Sequence, residues 1–455
     1  MSVRIANAAG FWGDNLDAPR RLVEACEVDY LTLEYLAELT LSILAHQRAR
    51  DPATGFVGDF LTVLESLAPL LAAQPQLRIV TNAGGLNVTG CARRAAAILA
   101  RAGLPEVAVA AVTGDDVLDS LDTLIADGQP LGHLDTGQPL GPRRSDVVSA
   151  NAYLGAAPIT AALADGARIV ITGRVADASL AVGPAVHAFG WSWDDWQRLA
   201  AATVAGHIIE CGAQASGGYD VQWRRYELAH IGYPIAELDA DGSLVITKPP
   251  ATGGAINRRT VAQQLVYEVL DPTCYLTPDV AVDFTQLELA ELAEHRVAVR
   301  GPVGRPAPQE YKVSIAIADG YRASGQLLVY GSDCIVKARM TAALLQERLR
   351  QARVELDRMH VELLGAGDGV PGLQPPPESL CEVVLRITGW DSRRDAVERF
   401  AREFAPLITG GPAGLAGYAS ARPRVQPVMA YWPSTLPKTS VSAEVDVQTA
   451  GEWVS

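Results

Sequence analysis

Ala167-Arg-Ile-Val-Ile-Thr-Gly-Arg-Val-Ala-Asp-Ala-Ser179 is the stretch that decides how this chain folds. Within its first six residues Ile169-Val-Ile171 is an unbroken apolar, β-branched run, the pattern of a strand buried on both faces. The run ends in Gly-Arg, and a helical stretch follows near Leu180–Phe189. A buried strand, a short loop and a helix make one βα unit of a parallel sheet.

The same unit recurs outward from this stretch. Strands are expected at Arg4–Ala8, Tyr30–Leu33, Leu77–Thr81 and Glu106–Val112. Helices are expected at Asp17–Cys26, with Asp17 as N-cap and Pro19 in the first turn, and at Ala37–Arg48, Val57–Ala73, Cys91–Ala102 and Val117–Ala126. The fold class that results is α/β: a mostly parallel, Rossmann-like sheet with flanking helices over residues 1–220. A closed (β/α)₈ barrel fits less well, because the helical stretch between the second and third strands is long and irregular.

Residues 221–455 read as α+β, in part ferredoxin-like. A hairpin is expected over Tyr226–Thr247 around Asp239-Ala-Asp-Gly-Ser243. Lys312–Ala318 and Ser324–Tyr330 alternate like two antiparallel strands around Asp319-Gly320. A long helix is expected over Ala342–Leu363, then a break at Gln374-Pro-Pro-Pro-Glu378, a strand at Cys381–Thr388 and a helix at Arg394–Phe404.

Composition narrows the function. The formal net charge is −14 and no long Lys/Arg run occurs, so no basic stripe for nucleic acid is expected. No signal peptide and no apolar run long enough to cross a membrane is evident. The six cysteines are scattered without a CxxC pair, which disfavours zinc ribbons and disulfides. A reduced, cytoplasmic setting is expected.

In a parallel sheet, ligands bind beyond the carboxyl ends of the strands. The candidate binding residues lie there. Asn7 and Gly10 follow the first strand, with Asp14 close by, and Glu34 follows the second. Thr81-Asn-Ala-Gly-Gly-Leu-Asn-Val-Thr-Gly90 follows the third. Here Gly84 and Gly85 suit a backbone cradle for an anion or carbonyl, flanked by Asn82 and Asn87; a plain turn with an Asn N-cap is the alternative. After the ARIVIT strand come Thr172, Gly173 and Arg174, the last suited to a bidentate grip on carboxylate or phosphate. Asp177 either moves a proton or braces Arg174, and Ser179 suits a helix cap. His207, Glu210 and Cys211 share one helix face by i, i+3, i+4 spacing, and Gln214 follows. They fit acid–base work, a Cys–His nucleophile, a metal site or a self-satisfied cluster. Lys248-Pro-Pro-Ala-Thr-Gly-Gly-Ala-Ile-Asn257, just before a helix near Arg259, is a further anion-site candidate or an interdomain hinge.

Five segments in order resemble one family: Asn7-Ala-Ala-Gly-Phe-Trp-Gly-Asp14, Asn82-Ala-Gly-Gly-Leu-Asn87, Thr172-Gly-Arg-Val-Ala-Asp-Ala-Ser179, Ala205-Gly-His-Ile-Ile-Glu-Cys-Gly-Ala-Gln214 and Gly411-Pro-Ala-Gly-Leu-Ala-Gly-Tyr418. Together they resemble the acyclic terpene utilisation (AtuA) family over nearly the whole chain. The resemblance implies a setting among enzymes that degrade branched acyclic terpenoids as acyl-CoA thioesters. It also implies a small separate AtuA-like ferredoxin-fold partner, this chain reading as the version without an appended domain. It transfers no catalytic residues.

The reading that follows is a lyase, a hydratase/dehydratase or carbon–carbon lyase, acting on an acyl-CoA or related acid. Glu34, Asp177, His207 or Glu210 would move the proton. No resident cofactor and no metal are expected, with a CoA thioester as the possible substrate and a homo-oligomer as the assembly. The alternatives are a non-catalytic acyl-CoA-binding or assembly subunit and a metal-dependent lyase using His207, Glu210 and Cys211.

Overall fold

A computed structural model describes residues 2–370, 372 and 380–455. The chain is mixed α/β and divides into two compact units. One holds residues up to Ala316 together with Tyr431–Ser455, and the other runs from Ile317 to Ala430.

The first unit is built on β1 (Ser2–Asn7), β2 (Tyr30–Leu33), β3 (Arg78–Thr81), β4 (Ala108–Thr113), β5 (Val147–Ala152), β6 (Ile169–Thr172), β7 (Ile235–Asp239) and β8 (Leu244–Thr247). Five of these lie parallel in the order β1-β2-β3-β6-β4. Antiparallel strands extend both sides: β7, β8, Arg296–Arg300 and Glu288–Ala293 beyond β1, and Glu444–Thr449 beyond β4. The sheet is open, so the barrel alternative does not hold.

Alternation along β6 shows why the sheet is covered twice. Ile169 and Ile171 join the core under helices Ala18–Ala25, Glu38–Arg50, Asp59–Ala73 and Val88–Arg101. Val170 joins the opposite core, under Ala157–Ala164, Ser179–Phe189, Trp196–Ile209 and Arg258–Val266. Successive strand residues face opposite sides, so a strand apolar on both faces is stable only between two helix layers. Each such side chain contributes roughly 1.5–3 kcal/mol on burial. The helix Trp196–Ile209 is buried along its whole length from Leu199, which places His207 in apolar surroundings.

In the second unit the described sheet runs Arg358–Leu364, Glu382–Asp391, the Tyr321–Tyr330 part of the strand Glu310–Tyr330, Leu415–Tyr418, all antiparallel. With helices Cys334–Gln351, Arg394–Arg402 and Phe404–Gly410 this gives a β-α-β-β-α-β succession of split-βαβ type. Two expectations are corrected here. Lys312–Ala318 and Ser324–Tyr330 do not pair with each other but belong to one strand, because Tyr321–Tyr330 ladders against Glu382–Asp391 and Gly320 absorbs the irregularity at φ 77°. The helix expected over Ala342–Leu363 is Cys334–Gln351 followed by the strand Arg358–Leu364. The chain turns at Arg353, at φ 57°, and RMHVELL pairs with the neighbouring strand. The break expected at Gln374–Glu378 lies outside the described residues. The Gly411–Tyr418 segment ends in the short strand Leu415–Tyr418.

Candidate functional site

The register puts the parallel strand tips along one edge: Asn7 lies beside Thr32, Leu33 beside Thr81, and Thr81 beside Ile171. Glu34, Asn82 and Arg174 are the residues next beyond those tips or one further, and they meet. The Asn82 amide donates to Glu34 Oε1, and its carbonyl accepts from Tyr35 N at 2.8 Å. Leu36 N donates to the same Glu34 oxygen at 3.0 Å. Arg174 Nη1 donates to Leu36 O at 2.6 Å and lies 2.7 Å from Asp177 Oδ1 and 3.7 Å from Glu34 Oε1. Its guanidinium stacks on the Tyr153 ring at 4.1 Å.

Arg174 is 2% exposed. A guanidinium so buried needs both counter-charge and hydrogen bonds, and its own fold supplies them. It is therefore a brace for two carboxylates. Burial pushes Glu34 well above the usual carboxylate range, and the Asp177 charge adds to this against Arg174 and Asn82.

Asp115 supports the loop from below. It accepts from Arg174 N at 2.7 Å and from Asn151 Nδ2 at 2.8 Å, and burial pushes its carboxyl up to about 7. A raised folded-state value means that stability is full below the ordinary Asp range and is lost as pH rises to about 7. Asp115→Asn keeps both accepted bonds and removes that titration. Its stability, measured by urea unfolding from pH 4 to 8, will fall less with pH than the parent's. The difference is roughly 3–4 kcal/mol over that range; parallel curves would mean that Asp115 stays ionised.

The second half of the site hangs from the same edge. Asn7 Nδ2 donates to Ile209 O at 2.8 Å and to Glu210 O at 2.7 Å, capping the end of Trp196–Ile209. Thr32 Oγ1 donates to Asn7 Oδ1 at 3.1 Å and orients the amide. His207 Nδ1 is 3.2 Å from Glu210 Oε1, and Gln264 Nε2 donates to His207 O at 3.3 Å. The rings of Tyr275 and Phe284 pack on the imidazole at 5.2 and 5.6 Å. Burial pushes the Glu210 carboxyl up, and Glu210 in turn raises His207 against its own burial, so the pair retains a proton. His207 Nε2, Glu210 Oε2 and Gln264 Oε1 are buried without a hydrogen-bond partner. Asp177, 34% exposed at its side chain, acts electrostatically on both Glu34 and Glu210 and links the halves.

The structure thus brings together Asn7, Glu34, Asn82, Gly173, Arg174, Asp177, His207 and Glu210. Gly10 belongs with them: a Cβ there would lie 2.7 Å from the Cys211 carbonyl carbon, so only glycine lets the two loops touch. Other expected members serve the scaffold. Asn87 caps its helix through Gly90 N at 3.0 Å and donates to Thr54 O. Ser179 begins its helix without capping it and donates to Asp279 Oδ2 at 2.6 Å. Thr172 Oγ1 donates to Gly173 O. Gln214 sits on the short turn Gly212–Ser216.

The cradle expected at Gly84-Gly85 is a packed turn. Gly85 N donates to Asn82 O, and a Cβ on Gly84 would lie 2.6 Å from Thr172 O. Gly84→Ala will therefore force the β3 and β6 loops apart and cost about 1–3 kcal/mol. A melting temperature unchanged from the parent would show that the loops are free to shift.

The Cys211 thiol is raised by burial and by the Glu210 charge, which keeps it protonated and speaks against a Cys–His nucleophile. Among the described residues no group of three or more His, Cys, Asp or Glu is arranged to hold a metal ion. Asp115, Tyr153, Gln264 and Tyr275 were not legible as site residues. Asp115 had a signal, since it follows the tip of β4 as Gly114-Asp-Asp; the others arrive from distant segments without any motif.

An open, mixed sheet with acids, an imidazole and a braced arginine along the carboxyl edge of its parallel strands defines an α/β protein with a candidate acid–base centre. The family model for the acyclic terpene utilisation protein AtuA matches residues 3–447, and the chain belongs to that family. No curated protein and no solved structure matches it. No described helix is long and apolar enough to cross a membrane.

Proposed function

We propose that the strand-edge cluster is the active site of a lyase, a hydratase/dehydratase or carbon–carbon lyase, acting on a branched acyl-CoA thioester or the related acid. The observation that carries this reading is the buried His207–Glu210 pair. His207 Nε2 and Glu210 Oε2 are buried without a hydrogen-bond partner, and Asp177, 34% exposed at its side chain, acts electrostatically on Glu210. Proton removal next to a carbonyl needs a base with a value near neutrality; burial pushes the Glu210 carboxyl up to about 7, and Glu210 raises His207 against its burial. Arg174 acts through Glu34 and Asp177, as a positioning residue. The family's link to acyclic terpene utilisation supports branched acids as the substrate class.

The Rossmann-like arrangement belongs to this same reading. A parallel sheet with helices on both faces presents its ligand at the strand carboxyl edge, where these residues lie. The test is a thermal-shift screen against branched acyl-CoAs and their free acids. A ligand at a hundredfold excess over Kd stabilises by about 2.7 kcal/mol. Absence of any shift across both series overturns the reading, and binding without turnover converts it to a carrier or assembly role.

A further inference from the structure

On the proposed reading that the site works on a branched acid or its thioester, we infer that the substrate is the thioester, held by its phosphates in an arginine-lined cavity at the start of the helix Arg258–Val266. The cavity, of about 610 Å³, is lined by Gln222, Arg225, Asn257, Arg258 and Arg259 among others. Arg225 and the pair Arg258-Arg259 come from separate segments and bring three arginines to the lining of one cavity in a protein of net charge −14.

Two of the lining arginines are uncommitted. Arg259 is bound to Asp220 and Tyr226, but neither the Arg225 nor the Arg258 guanidinium has an ion-pair partner among the described residues. The Gln222 Oε1 and Arg259 Nε atoms are buried and unpartnered as well. One acid, Glu291, also lines the cavity, and its Oε1 accepts from Arg258 N at 2.9 Å. It leaves the side chains of Arg225 and Arg258 free to form forked bonds to phosphate oxygens.

The cavity is tied to the acid–base site by one helix. Asn257 caps that helix with a full capping box, and Gln264 on it donates to His207 O. From Arg259 to Gln264 a helix advances about 8 Å. A pantetheine arm reaches further than that, so phosphates in the cavity and a thioester carbonyl beside His207 are compatible with one molecule. A free acid whose carboxylate lies beside His207 has no second anionic group to reach the arginines, whereas a CoA thioester carries its phosphates at the far end of the arm.

Calorimetric titration with isovaleryl-CoA, CoA, pantetheine and isovalerate tests the assignment, on the parent and on R225A/R258A. The expected result is binding of both CoA species, weakened at least about tenfold in the double variant, with the response to isovalerate unchanged. Binding to the parent should also weaken steeply with added salt, as exposed charge pairs do. Parent and double variant binding CoA alike, or CoA failing to bind, overturns the inference. If isovalerate binds while CoA does not, the acid branch of the proposed function stands alone. If neither acids nor thioesters bind, that proposal falls too.

Discussion

Arg174→Met will cost about 3–5 kcal/mol of folding stability, the loss expected when one partner of a buried charge cluster is removed. The methionine fills similar volume, so the loss is electrostatic. Asp177 and Glu34 lose the guanidinium that neutralises them, and Leu36 O loses its donor. The loss has a defined pH dependence. Burial already raises Glu34, and removing the cation raises it further. A carboxyl raised in the folded state costs nothing below its ordinary range and more as pH climbs toward the folded value. Urea unfolding will show the variant close to the parent near pH 4 and well below it at pH 8. Glu34→Gln added to Arg174→Met will restore part of the difference, because the neutral amide keeps an acceptor for Asn82 and Leu36. A loss under about 1 kcal/mol at pH 8 would mean that Arg174 is no brace and is free to bind a ligand.

On the proposed acid–base reading, Glu210→Gln will lower kcat on a branched thioester substrate by about 10²–10⁴-fold, the range for a positioned acid–base group. The fold will survive, since Asn7 holds the Glu210 backbone carbonyl and not its side chain. The pH profile separates this role from a structural one. In the parent, Glu210 raises His207. Without it burial dominates, His207 falls, and the acidic limb of the rate profile moves to lower pH. A lowered rate with an unmoved limb would assign the loss to geometry. Unchanged kcat would remove the pair from the mechanism.

Local pattern was enough for the elements that decide the architecture. β-branched runs such as Ala167–Thr172 are legible as doubly buried strands, because no other arrangement hides both faces. The glycines and polar residues after them are legible as loops at one edge. Where two patterns share a composition, the reading fails. Arg358–Leu364 carries the same Arg/Glu/Leu mixture as the helix before it, and only pairing with Glu382–Asp391 makes it a strand. The strand Glu444–Thr449, which closes the main sheet beside β4, is another partner that appears only in three dimensions.

For the site, sequence determined which strand tips carry acids, amides and arginine, and that parallel strands put those tips on one edge. It also placed His207 and Glu210 one helical turn apart, close enough to share a proton. Tertiary structure alone decided what each group does there. It buried Arg174 between Glu34, Asp177 and Tyr153, which makes a brace of a residue that composition offers equally as a ligand anchor. It also packed Gly84 against Thr172 and left His207 Nε2 without a partner. Burial sets these roles, since a charge out of water is held by its neighbours, and neighbours drawn from residues 34, 153, 174 and 210 exist only once the chain has closed on itself.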